Sequence, residues 1–292
     1  MLDAAVIALR LLQYLTGSIL FGSALFLSFI VPPGVAAQRW AMPMLASAAV
    51  TLSIAAMGGL LAQTIAMAGS VELGLSKESL QAMLEMSLGK AAVVRAIDAS
   101  VAVPLLLLLS GGRPLWVLTG LLGAVAVAIF GWMGHGAASE GAGAQLHLWA
   151  DIAHALLAAL WIGALLGFVM LALSGADARS LRTALMRFST VGVPLVALLA
   201  ATGLVNSWFL VGPSNLRALV TTDYGRALSF KLMLFGAMLV LASLNRWRHT
   251  AAVAREGASS VALRASLITE ALLAVIILAL VAWFGMLEPP PS

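Results

Sequence analysis

The 292-residue chain has no cysteine. That excludes disulfides, thiolate zinc sites, iron–sulfur clusters and cysteine nucleophiles. Histidine and methionine remain as soft or borderline metal ligands, and there are 4 and 13 of them. Charge is also scarce: 10% of residues are charged, 62% are hydrophobic and mean hydropathy is +1.05. A soluble domain is about 45–50% apolar and about 25% charged. The composition therefore excludes a disordered chain and leaves too little polar surface to wrap a soluble enzyme. No G-x-x-x-x-G-K-[ST] phosphate loop and no HExxH helix motif occurs. MLDAA places Asp3 where a cleavable signal would carry basic residues, so no cleaved leader is expected.

Long apolar runs take the place of the missing charge. A spanning helix needs about 20 mostly apolar residues. Eight stretches qualify: 4–31, 43–68, 89–110, 115–133, 148–173, 189–211, 225–245 and 264–287. The expected fold is an all-α integral membrane protein of eight transmembrane helices in a single membrane domain, 1–292. It divides into a four-helix half (1–133), an outer His-containing loop (134–147) and a second four-helix half (148–292). Loops after odd-numbered spans hold nine basic residues, Arg39, Arg113, Arg179, Arg182, Arg187, Arg246, Arg248, Arg255 and Arg264. The other side holds four, Lys77, Lys90, Arg217 and Arg226. The basic side stays in the cytoplasm, so both termini are expected in the periplasm of a multi-pass inner-membrane protein. Seven acids lie on the outer side, which would weakly attract cations.

The halves resemble each other. LGKAAVVR (88–95) and YGRALSFK (224–231) both place glycine, a basic residue and a second basic residue at the outer start of a span. GGLLAQ (58–63) and TGLVNS (202–207) add glycine followed by an amide. The offset is 136–144 residues, and four helices per half imply a parallel 4+4 repeat. Between the second and third spans, Leu80, Met83, Leu84 and Leu88 share one face, which predicts an amphipathic helix on the outer surface. The tail EPPPS ends the last span.

Charged and amide side chains at membrane depth are costly and face the bundle interior. They are Arg10, Gln13, Gln63, Arg95, Asp98, Asp151, Asn206, Lys231 and Glu270. Arg95 and Asp98, three apart, are spaced to neutralise each other. Lys231 has no acid at that spacing, which leaves Asp151, Glu270 or snorkelling. Structural pairing is the plain reading of Arg95, Asp98 and Lys231. A polar transport lining is the sharper one.

Three of the four histidines lie within 20 residues. His135 follows the fourth span between glycines. His147 and His154 are two turns apart on one helix face, about 10 Å along the axis, too far for one metal to bridge unaided. Asp151 lies between them on the same face, and His135 with Met133 can fold over the top. Imidazole, carboxylate, imidazole running inward suits a cation pathway of incompletely coordinated steps. With no thiolate available, copper is the favoured ion. The bland alternative is three ordinary hydrogen-bonded histidines. His249, among arginines, reads as surface. Most methionines sit where Met normally packs.

GHGAA (134–138), LHLWADIAHALLAALWIGALL (146–166), RFSTVGV (187–193), TGLVNSWFL (202–210), TDYGRALSFKLMLF (222–235), LNR (244–246) and RASLITEALL (264–273) together resemble the CopD family of bacterial copper-resistance membrane proteins. The first half matches more loosely through LQYLTGSILFG and LGKAAVVR. The resemblance implies an inner-membrane protein of about eight helices that moves copper, inward from the periplasm. It implies His135, His147 and His154 as the metal positions and a separate periplasmic CopC-like partner, since this chain carries no soluble β-rich domain.

Three functions follow in order. The first is copper transport, as Cu(I) or Cu(II): capture at His135 and His147, then passage by Asp151 to His154 along a polar lining. Asp151, Glu270 or Asp98 would be the proton carriers. The second is a haem-binding electron carrier, for which His154 and His135 are the only available axial pair. The third is a copper sensor or chaperone without transport. No enzymatic activity and no nucleic-acid partner is expected; the partners are copper and the lipid bilayer.

Overall fold

A computed structural model of the chain describes residues 2–32, 34, 38–133, 141, 143–244 and 261–290, which hold helices and no strand. Eight helices are long and apolar enough to cross a membrane, Asp3–Ile30, Arg39–Ala68, Ser87–Leu108, Arg113–Trp132, Ala144–Leu173, Arg179–Leu210, Asp223–Leu244 and Val261–Phe284. They match the eight expected stretches. In a hydrocarbon layer every backbone amide must be satisfied within its own segment, so runs of this composition settle as helices.

We label the helices in chain order. Helix α1 (Leu2–Ser18) continues through two π-helical segments, Ile19–Ser23 and Phe26–Ile30. Then come α2 (Gln38–Ala68), the short α3 (Val71–Gly74), α4 (Lys77–Glu85), α5 (Ser87–Leu108) and α6 (Arg113–Ala128), which ends in a 3-10 turn, Ile129–Trp132. The second half has α7 (Ala144–Leu173), α8 (Ala178–Leu210), the short α9 (Ala218–Thr221), α10 (Asp223–Leu244) and α11 (Val261–Phe284).

Helix α8 starts well ahead of the expected residue 189. Its first turns, RSLRTALMR, carry charge and escape a hydropathy window. The Asp177 carboxylate caps them by accepting from the Ser180 amide at 2.8 Å. Hydrogen bonds from the Ser180 side chain and amide hold the Asp177 carboxyl below the usual carboxylate range. The amphipathic helix between the second and third spans is α4. Ser76 caps it by accepting from the Ser79 amide at 3.2 Å. Its buried Met83 packs with Leu60 of α2 and Ala92 of α5, while Leu84 stays exposed.

Helices α1 and α7 occupy the centre. Helix α1 packs on α2, α6, α7 and α11, and α7 packs on α8, α11, α1 and α6. Each central helix thus touches the last helix of both halves. The halves differ at their flanks. Helices α2 and α5 pack along their length, whereas α8 and α10 scarcely meet.

Lipid tails are as apolar as leucine, so helices in a bilayer associate through close van der Waals approach rather than hydrophobic exclusion. The halves meet through two glycines. A Cβ on Gly22 would sit 2.9 Å from the Gly163 Cα, and one on Gly163 would sit 2.6 Å from the Gly22 Cα. The Ser23 hydroxyl donates to the Gly163 carbonyl at 2.6 Å. Around this crossing lie Leu20, Phe26, Trp161, Phe168 and Leu171, all buried. The two ends of the chain share one face, where the Arg10 guanidinium donates to the Gly285 carbonyl at 3.1 Å.

Gly163→Ala is expected to overpack this crossing at a cost on the order of 1–3 kcal/mol. Gly236→Ala on α10, where an added Cβ meets nothing within 4 Å, is expected to be neutral or to stabilise by about 0.5–1 kcal/mol. Thermal unfolding in detergent, followed by helical circular dichroism, compares the two. Equal midpoints would remove the crossing from the account of stability.

Candidate functional site

Two polar clusters lie at membrane depth, one in each half. In the second half, His147, Asp151 and His154 form an i, i+4, i+7 stripe on α7. Helix α8 runs antiparallel beside it and presents Thr202, Asn206 and Phe209 at the same spacing. The stripes pair rung by rung. The His147 ring stacks on Phe209, with centroids 4.9 Å apart and planes 9° apart. The Asn206 side-chain N–H donates to an Asp151 oxygen at 3.3 Å. His154 Nδ1 lies 3.2 Å from the Leu199 carbonyl and 3.1 Å from the Thr202 hydroxyl oxygen.

These contacts fix the chemistry of His154. Thr202 already directs its hydroxyl hydrogen at the Leu198 and Leu199 carbonyls. A carbonyl can only accept, so the ring proton is assigned to Nδ1 and Nε2 keeps its lone pair. An outer hydrogen bond of this kind orients an imidazole for metal binding. A Cβ on Gly203 would come within 3.2 Å of His154 Cε1, so that glycine is what lets α8 approach the ring. Asn206 is 8% exposed, and its Oδ1 is buried without a hydrogen-bond partner. His147 is 1% exposed, whereas Asp151 and His154 are half-buried.

Asp151 lies within electrostatic range of Tyr14 of α1 and of Tyr224 and Lys231 of α10, and forms no direct ion pair with Lys231. Lys231 also acts on His154. The Lys231 ammonium lies 5.9 Å from the Phe284 ring centroid of α11.

The first-half cluster centres on Arg95, whose side chain is fully buried. It does not form the expected salt bridge with Asp98. Its Nε donates to the Ala126 carbonyl at 3.0 Å, and one Nη1 donates to the Gln13 side-chain oxygen at 2.8 Å and the Met133 sulfur at 3.2 Å. The guanidinium carbon also lies 3.6 Å from the Phe130 ring centroid, and Phe130 packs on Tyr14. Asp98 stays within electrostatic reach of Arg95 without hydrogen-bonding it, because the end of α6 offers Arg95 a carbonyl, a ring face and a thioether together. One oxygen of Asp98 is buried without a hydrogen-bond partner.

The remaining candidates separate. Met133 faces Arg95, a cation, rather than the α7 stripe. Gln63 is half-buried and makes no hydrogen bond among the described residues. Arg10 binds the end of α11, and Glu270 is buried in α11. His135 and His249 lie outside the described residues. Among the described residues, no three His, Cys, Asp or Glu side chains converge in a way that could hold a metal ion. The α7 stripe therefore supplies donors one rung at a time. Sequence reasoning missed Thr202 and Phe209. Their spacing from Asn206 repeats that of the α7 stripe, but only the crossing of α7 and α8 pairs them.

Two family domains match the chain. Residues 1–148 match the copper resistance protein D-like N-terminal domain, and residues 182–284 match copper resistance protein D. Copper resistance protein D of Pseudomonas syringae pv. tomato is 31% identical over 98% of this chain and 97% of its own length. Inner membrane protein YebZ of Escherichia coli is 34% identical over 39% of each chain. No solved structure matches.

Arg95→Met strands the Gln13 oxygen and the Ala126 carbonyl in a buried setting. Each hydrogen bond to a charged group is worth about 1.5–3 kcal/mol, so a fall of at least that size is expected. Unfolding in detergent measures it, and a midpoint equal to the parent's would show that the cluster contributes nothing to stability.

Proposed function

The chain belongs to the copper resistance protein D family, and from that premise we propose that it carries copper inward across the bacterial inner membrane along the polar rungs between α7 and α8. Copper is the cargo here. The observation that carries the reading is the middle of that ladder. There the free Nε2 of His154, the Asp151 carboxylate and the orphaned Asn206 oxygen lie on adjacent rungs. A nitrogen and two oxygens from side chains already held by other bonds suit a cation that must enter and leave.

His147, one rung nearer the helix start, receives the ion first, with His135 of the preceding loop as the capture group. Met133 joins only by leaving Arg95. Helices α8 and α10 scarcely meet, so α8 is held mainly by α7. Both chain ends lie in the periplasm under this proposal, and the two halves are parallel repeats within one membrane domain. A separate periplasmic CopC-like protein would hand over the metal. No catalytic step is involved. The haem reading would need His135, which lies outside the described residues, as the second axial ligand to His154.

The test is elemental analysis of the protein purified in detergent, with an absorption spectrum of the same sample. The parent is expected to retain copper and show no Soret band. The His147→Ala, His154→Ala double variant is expected to insert and fold but lose the metal. Copper retained by the folded double variant would remove the α7 ladder from the function. Stoichiometric iron with a Soret band would replace the copper reading with a haem protein.

A further inference from the structure

The two halves place a basic residue at matching positions of their third spanning helix, Arg95 on α5 and Lys231 on α10. In the first half the Gln13 amide N–H donates to the Ala55 carbonyl of α2 at 3.1 Å, and a Cβ on Gly59 would meet that nitrogen at 2.8 Å. In the second half His154 Nδ1 bonds the Leu199 carbonyl of α8, and Gly203 abuts the same ring. Leu199 is to Gly203 as Ala55 is to Gly59, four residues earlier in each helix. Gln13 and His154 are therefore structural counterparts, as Gly22 and Gly163 are.

The register of the third helices matches as well. A Cβ on Gly89 of α5 would overlap the Met83 carbonyl, and one on Gly225 of α10 would overlap the Ala218 carbonyl. Each glycine docks its helix on the short element before it. Six residues on lie Arg95 and Lys231. Arg95 reaches across its half to Gln13. The Lys231 ammonium lies toward the Phe284 ring of α11 and forms no direct ion pair with Asp151; the face of α10 that carries Lys231 follows from an independent contact. Phe235, one turn further along α10, packs edge-on against Trp161 of α7 with ring centroids 5.6 Å apart. His154 lies two turns before Trp161 on that face. Lys231 sits about 12 Å into α10, and Asp151 and His154 about 10 and 15 Å into α7, at a rise of 1.5 Å per residue.

We propose that Lys231 is the resident cation of the α7–α8 ladder: its ammonium balances Asp151 when metal is absent and competes with the copper ion for that charge. This inference rests on the copper reading above. A second positive charge beside one carboxylate at membrane depth is unfavourable, because little solvent screens it. Lys231 thereby keeps copper binding weak enough for release. The first half is the sealed counterpart. Its cation is an arginine, bonded to a neutral Gln13 and fully buried, and among the described residues no three metal-ligating side chains converge there. Lys231 is half-buried, with its ammonium beside the Phe284 ring of α11. The other groups around Asp151 are Tyr14 from α1, His147 and His154 from α7, Asn206 from α8 and Tyr224 from α10. On α11, Glu270 lies about 21 Å from the Phe284 end, deeper than Lys231, which leaves Asp151 as the acid at its level.

The experiment measures Cu(I) affinity by anaerobic chelator competition on the purified full chain, and Cu(I) uptake in vesicles, for the parent, His154→Ala, Lys231→Met and Lys231→Arg. Lys231→Met is expected to bind copper on the order of tenfold tighter than the parent and to transport it more slowly. Lys231→Arg, which keeps the charge, is expected to bind within about threefold of the parent. A purely structural lysine would give weaker binding in the Met variant. Lys231→Gln replaces the Met variant if that one fails to insert. If His154→Ala loses copper but neither neutral variant binds more tightly, the role of Lys231 is overturned and the copper reading stands. If the parent binds no copper, or His154→Ala binds as the parent does, the copper reading fails and this proposal falls with it.

Discussion

Every polar group carried into a hydrocarbon layer has to find its partner within the protein, because the layer offers none. That constraint organises this molecule. Gln13 spends one end of its amide on the Ala55 carbonyl and the other on Arg95. Ser23 spends its hydroxyl on the backbone of the facing half. His154 spends one ring nitrogen on α8. The bundle is thus joined by polar contacts and by glycines that permit close approach, with the apolar side chains filling between them.

The same constraint makes the exceptions informative. A few buried polar atoms have no hydrogen-bond partner, among them the Asn206 oxygen, one Asp98 oxygen and one Arg95 nitrogen. An unpaired buried polar atom costs about 1–3 kcal/mol. The Asn206 oxygen lies beside the one stripe that also presents a free imidazole nitrogen and a carboxylate. The first half has alanine, Ala62, at the place corresponding to Asn206, and arginine where the second half has lysine. Under the proposed repeat, the Arg95 cluster is closed by hydrogen bonds to Gln13 and Ala126, whereas the α7–α8 stripe keeps unpaired donor atoms.

Much of the fold was legible from composition and period. Eight apolar stretches became eight helices, since a run of that length has no other stable state in lipid. The α4 helix was legible because Leu80, Met83 and Leu84 recur at helical spacing. The start of α8 was not. Its cap, Asp177, and its charged first turns lie outside any hydropathy window, and helix geometry there is set by local hydrogen bonds. The spacing brought the Arg95 and Asp98 charges within reach of each other but did not foretell Arg95's hydrogen bonds, because spacing along one helix says nothing of what the next helix offers. Met133 was assigned to metal from its place beside His135, whereas its sulfur meets the guanidinium of α5.

The sequence by itself determined the membrane class, the span count and the His147–Asp151–His154 stripe, because these depend only on composition and on the 3.6-residue period. Tertiary structure alone decided what faces the stripe. The pairing with Thr202, Asn206 and Phe209, the single free nitrogen of His154, the capture of Arg95 by Gln13 and the parting of α8 from α10 all depend on how helices cross. Crossing is set by which glycines allow backbones to meet, and Gly22 and Gly163 lie 141 positions apart in the chain. No local pattern joins residues at that separation; only the packed bundle brings them into contact.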